Sequence, residues 1–172
     1  MNSIFNEGNL RLDFSSCNAI QPVERFDNRH TNAYGLMPVD FVMETADTLF
    51  FIEVKDFQNP NATTERREED YKMLTISDRQ SIFTLKMGQK IKDSLLREYA
   101  MGEKFTKKIT YLLLLNFDGL GERERGLLKE KISGHIPTGL NSDRFGSFTK
   151  ISFSLVDRTQ AEETFAIICA EN

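Results

Sequence analysis

Three side chains in this sequence could do chemistry together: Asp40, Glu53 and Lys55. The last two belong to the triplet Glu53-Val54-Lys55, near the end of a Val-, Phe- and Ile-rich segment over residues 37–57. An acidic-x-Lys triplet says little alone, since roughly one or two arise by chance in a chain with this many acids and lysines. The sequence holds a second one, Asp70-Tyr71-Lys72, in a highly charged stretch that reads as a solvated helix face. Geometry separates the two.

Residues 37–57 read as two strands around a polar turn, with Pro38 where a strand begins. With the turn centred between Ala46 and Asp47, Phe41 faces Ile52, Met43 faces Phe50 and Val39 faces Val54. Side chains alternate with period two, so Val39, Phe41, Met43, Phe50, Ile52 and Val54 form one apolar face directed to the core. The same register sets Asp40 opposite Glu53 on the other face, with Lys55 two residues along and Val42 and Phe51 partly covering them. A slip of one residue would destroy this consistency. Opposed Cβ atoms lie about 4.5–5.5 Å apart, and like charges there are destabilising. Two carboxylates held so close need a proton, a cationic neighbour or a metal. Lys55 supplies one positive charge, and an oxygen-ligand site for a hard cation such as Mg²⁺ is a natural solution.

The elements that must position these residues follow from pattern. Leu10, Leu12 and Phe14 alternate with Arg11 and Asp13 as a short strand, and the rest of residues 1–35 gives no clear element. Asn59-Pro60-Asn61 stops the second strand of the hairpin. Residues 64–75 read as a charged helix. Ser77 and Gln80 have the form of a capping box, opening a helix that runs through Tyr99 and ends at Gly102. Residues 107–117 form a strand whose continuous apolar run predicts burial on both faces. A helix over 122–133 closes at Gly134, and residues 148–156 alternate as a strand. The tail from Thr159 to Ala170 is open between helix and strand. A hairpin followed by helix-linked strands predicts an α/β domain over residues 1–172, with a mixed sheet covered by helices.

Pro38-Val39-Asp40, twelve intervening residues and Glu53-Val54-Lys55 resemble the motif of the PD-(D/E)xK nuclease superfamily, with Val39 as one extra residue between Pro and Asp. The element order from residue 37 to about 156 is close to that family's restriction-endonuclease-like fold, a mixed β-sheet with a central acidic hairpin flanked by helices. The family's N-terminal helix is not evident in residues 1–35. The resemblance implies that Asp40 and Glu53 bind Mg²⁺ or Mn²⁺, with the Val54 backbone carbonyl as a further ligand. It implies that Lys55 orients or activates the attacking water and stabilises charge at the phosphate. The implied reaction is metal-assisted phosphodiester hydrolysis of nucleic acid, DNA in preference to RNA. Many members add a carboxylate from an upstream helix, for which Glu24 is the first candidate and Glu7 the second. Some place a polar residue on the helix after the acidic strand, where Gln89 is the candidate. The alternative is a non-catalytic interaction subunit of a nucleic-acid-processing or defence assembly.

Composition narrows the rest. The chain has 172 residues, 40% of them hydrophobic, which suffices for a core and is too much for disorder. Twenty-two basic against 26 acidic residues give a net charge of −4, which argues against a purely electrostatic nucleic-acid binder. One region departs from this. Residues 86–108 carry seven basic and three acidic side chains. Lys86, Lys90, Lys104, Lys107 and Lys108 are candidate phosphate contacts there, with Phe105 and Tyr111 completing a basic aromatic patch. Two distant cysteines, Cys17 and Cys169, give no disulfide framework or zinc knuckle. His30 and His135 lack a partner acid at useful spacing, and no phosphate-binding loop occurs. With no basic-then-apolar leader and no long apolar run, the expected location is the cytoplasm, away from membranes. A chain this small would gain sequence specificity from loops, a homodimer or a protein partner.

Overall fold

The computed structural model describes residues 4–7, 9–17, 22–28, 35–58, 60, 62–137 and 151–171. His30 and residues 148–150 of the last predicted long strand lie outside them. Eight strands occur in this order among the described residues: β1 (Ile4–Glu7), β2 (Leu10–Asp13), β3 (Val23–Asn28), β4 (Phe41–Thr45), β5 (Thr48–Asp56), β6 (Lys108–Asn116), β7 (Ile151–Val156) and β8 (Ile168–Glu171). Four helices accompany them: α1 (Thr64–Thr75), α2 (Ser77–Ala100), α3 (Glu122–Ser133) and α4 (Arg158–Phe165). No helix among them is long and apolar enough to cross a membrane.

The main sheet is five-stranded and mixed, in the order β3-β4-β5-β6-β7. Strands β3, β4 and β5 are antiparallel neighbours, whereas β5, β6 and β7 run parallel. The hairpin register pairs Phe41 with Ile52, Val42 with Phe51, Met43 with Phe50 and Glu44 with Leu49, as the period-two pattern requires. Parallel strands need long connections, and α1 with α2 provides the one from β5 to β6. Strand β6 lies between β5 and β7, and its residues 111–116 are all buried. Their alternating side chains feed two cores: Tyr111, Leu113 and Leu115 on one side, Leu112 and Leu114 on the other.

The first core packs the sheet against α2 and α3 through Phe83, Met87, Ile91, Leu95, Leu128 and Ile132. The second lies under a small sheet, β1-β2-β8, in which the two ends of the described chain meet as Leu12 pairs with Cys169. Phe5, Phe14, Phe26 and Phe41 form its ring cluster, with centroids 4.8–6.2 Å apart. Both cysteines are buried free thiols there.

Several local expectations change. Residues 1–35 contribute three strands among those described, and Cys17 is helical, with residues 18–21 outside the described ones. The tail forms both a helix and a strand: Asp157 caps α4 by accepting from the Gln160 N–H at 2.9 Å, and β8 follows. Ser77 is already helical, and Ile76 is the N-cap of α2. One residue joins the helices, since the Ile76 N–H donates to Lys72 O and Ile76 O accepts from Gln80 N–H. Gln80 instead donates its amide N–H to Leu74 O at 2.6 Å, satisfying a carbonyl at the end of α1. Gly102, with φ at +94°, terminates α2 as expected.

Candidate functional site

Strand β5 carries Glu53 and Lys55 on the face covered by α2. Asp40 stands one residue before β4, outside the ladder. Its position is fixed from two directions. The Met37 N–H donates to Asp93 at 2.8 Å and the Val39 N–H to Ser94 Oγ at 2.9 Å, pinning residues 37–39 to α2. The Asp40 carboxylate accepts the Val54 N–H at 2.8 Å, replacing a ladder bond that β4 does not extend to make. Because alternation stops there, Val39 turns to the helix-side core with Val42 and Phe51, not to the opposite face with Phe41 as its spacing suggested.

Asp40 and Glu53 come together on one cation, and that cation is Lys90. Its Nζ lies 2.7 and 2.8 Å from the two Glu53 oxygens and 3.4 Å from Asp40 Oδ1. Lys55 forms an ion pair with Glu53 Oε1 and donates to its neighbour's carbonyl, Val54 O, at 3.1 Å. Asp40 is 9% exposed and Glu53 is sealed at 0%, so the pair sits beneath α2 and not in the partly covered cleft the sequence suggested. The two lysine side chains are both about a quarter exposed while their ammonium groups turn onto the carboxylates.

The electrostatics follow from this burial. Loss of hydration pushes the Glu53 carboxyl up to about 7, and the Asp40 charge adds to the rise against the pull of Lys55 and Lys90. Burial would lower Lys55, but Glu53 and Asp40 outweigh it and hold the ammonium above its ordinary value. Tyr111, wholly buried, donates its hydroxyl to Met87 O at 3.2 Å. Burial and then the same two carboxylates drive its pKa far up.

The other sequence candidates fall elsewhere. Glu24 lies on edge strand β3 and not on a helix, and its carboxylate meets Lys107 at 2.7 Å. Glu7, at the end of β1, is the upstream carboxylate whose charge acts on Lys55. Gln89 faces outward and donates to Asp93 within its own helix at 2.6 Å. Lys90 turns into the site and Lys107 is held by Glu24, Glu44 and Thr45 O, so neither is an open phosphate contact. Lys86, Lys104 and Lys108 are exposed. Phe105 and Tyr111 are buried, so the basic aromatic patch does not form: β6 is covered on both faces and spends its rings on packing.

Lys90 is the residue that sequence reasoning misplaced. The signal for it was present. The inward stripe of α2 runs through Phe83, Met87, Ile91, Ser94 and Glu98, and Lys90 stands three residues after Met87 and four before Ser94. A lysine beside an apolar stripe needs a buried counter-charge.

No group of three or more His, Cys, Asp or Glu side chains gathers as a metal cluster among the described residues. The set that could hold a hard cation is Asp40, Glu53 and the Val54 carbonyl. The donors fit, being all oxygen. Glu53 Oε1 is buried and accepts no well-aligned hydrogen bond, although both ammonium groups lie in ion-pair contact with it. Fold and site together define a mixed α/β protein with an acid–lysine centre beneath a helix. No protein-family model matches the chain, and no curated protein or solved structure matches it.

Proposed function

We propose that this protein is a Mg²⁺- or Mn²⁺-dependent nuclease of the PD-(D/E)xK kind, on a restriction-endonuclease-like core, hydrolysing phosphodiester bonds in DNA. The observation that supports it is the convergence of Asp40 and Glu53 on a single cation with Lys55 beside them. Asp40, Glu53 and the Val54 carbonyl would hold the divalent ion, which when bound polarises the phosphoryl oxygen and lowers the pKa of a bound water. Lys55 stays outside the ligand set, and its ammonium would orient the attacking water and stabilise charge on the phosphate. Lys90, in contact with both carboxylates, would keep the pair together before the ion arrives.

One observation favours a second reading, a non-catalytic module that retains the same core. The Lys90 and Lys55 ammonium groups together already balance the two carboxylates, so the centre is complete as an internal ion-pair network. Incubation with plasmid, linear and single-stranded DNA, and with RNA, under Mg²⁺, Mn²⁺ or EDTA decides between them. The nuclease cuts only with metal, and Lys55→Ala lowers the rate by about 10²-fold or more while leaving DNA affinity in place. Wild-type protein that cuts no substrate under any metal supports the module.

A further inference from the structure

Helix α2 hides one face in the core and leaves a regular stripe on the other. Ile82, Leu85, Leu96 and Tyr99 are 54–70% exposed, and between them stand the exposed Gln89 and Lys92. Six of the eleven large exposed hydrophobics among the described residues lie between Ile76 and Met101. The positions 82, 85, 89, 92, 96 and 99 alternate steps of three and four, the a/d spacing of a helix that packs against another helix.

The stripe also reads the same from either end. Reversed about a point midway between residues 90 and 91, Ile82 exchanges with Tyr99, Leu85 with Leu96, and Gln89 with Lys92. A closed dimer joins the same patch on both subunits, so residue i meets j while j meets i. We propose that two copies of this chain pair through antiparallel α2 helices about that two-fold axis. The occupant is a second copy because the stripe complements itself. Apolar residues meet apolar residues at both ends, and at the centre each Lys92 ammonium meets a Gln89 amide. A parallel pair would set Lys92 against Lys92, opposing like charges.

Size agrees with this. Twenty-four residues at 1.5 Å each make a helix about 36 Å long. The stripe from Ile82 to Tyr99 covers about 25 Å of that length, the extent over which a second α2 can lie along it. The acid–lysine centre lies on the inward side of the same helix, so pairing leaves Lys55 uncovered. The inference is therefore independent of the proposed nuclease activity.

Sedimentation of the full chain over a wide concentration range gives the first test, with a reversible monomer–dimer equilibrium expected. Leu85→Glu/Leu96→Glu, changing only exposed positions, should weaken the dimer by about a hundredfold or more and keep the wild-type melting temperature of the monomer. Orientation is read by oxidative cross-linking. Leu85→Cys mixed with Leu96→Cys should give a covalent dimer, and neither variant alone should. Within one helix these positions are about 16 Å apart, too far for an internal bridge. The native thiols are buried, so oxidised wild-type protein is the blank. Four results would each overturn the proposal: a strict monomer, a dimer untouched by the glutamates, cross-linking of Leu85→Cys with itself, or a monomer that the glutamates destabilise because its own chain covers the stripe.

Discussion

The two ends of the β4–β5 hairpin each carry an ionic cluster, and the clusters are built differently. At the turn end, Arg25 pairs across the strands with Glu44 at 3.0 Å and reaches Glu98 on α2 at 2.7 Å. Lys107 joins Glu44 at 2.8 Å and Glu24 at 2.7 Å. These contacts tie edge strand β3 to α2 and to the start of β6. Glu24 is half exposed. At the open end, Asp40 and Glu53 crowd onto Lys90, Glu53 is sealed, and its carboxyl rises to about 7. The turn-end cluster spreads two cations over three acids on separate elements and serves as a clasp. The open end packs two neighbouring acids against Lys90 and Lys55, and burial raises one of them, which is where the proposed divalent ion would act.

The sharpest way to break this comparison is Lys90→Met. It leaves two buried carboxylates with Lys55 as their remaining ammonium contact among the described residues. It should cost about 4 kcal/mol, a fall in melting temperature of about 10 °C. Millimolar Mg²⁺ should return much of that loss, and more than it adds to wild type, because a ligand that binds only the folded state stabilises by mass action. Differential scanning fluorimetry with and without metal reads both. A variant that Mg²⁺ does not rescue would make this cluster a clasp like the other.

Arg25→Met at the turn end should cost about 2 kcal/mol, since the charged hydrogen bond to buried Glu98 is lost. Its melting curve should be the same in Mg²⁺ and in EDTA. The smallest effect belongs to Lys107→Ala, whose carboxylate partner Glu24 is open to water: below about 1 kcal/mol, and smaller still in high salt. Chemical denaturation at two ionic strengths measures it. A Lys107 effect as large as that of Lys90 would erase the distinction between the clusters.

The sequence by itself determined most of the local elements between residues 37 and 156. Alternation of Phe41, Met43, Phe50 and Ile52 specified the hairpin register, because a slip of one residue would reverse every side chain. The unbroken run in β6 announced a strand covered on both faces, and Gly102 and Gly134 marked helix ends that the backbone respects. Period and punctuation are local properties, readable within a few residues. Tertiary structure alone decided where distant segments meet. It paired β2 with β8 from opposite ends of the chain and made β3 an edge strand, pairings that no local period encodes. It pinned Met37 and Val39 to α2 and set the Asp40 carboxylate on the Val54 N–H in place of a ladder bond, which turned Val39 to the other core. It also took Lys90 from a surface charge in a basic stretch to the shared counter-ion of Asp40 and Glu53. A helix sequence shows that one side chain borders the buried face, but the charge waiting opposite it belongs to a strand 37 residues away.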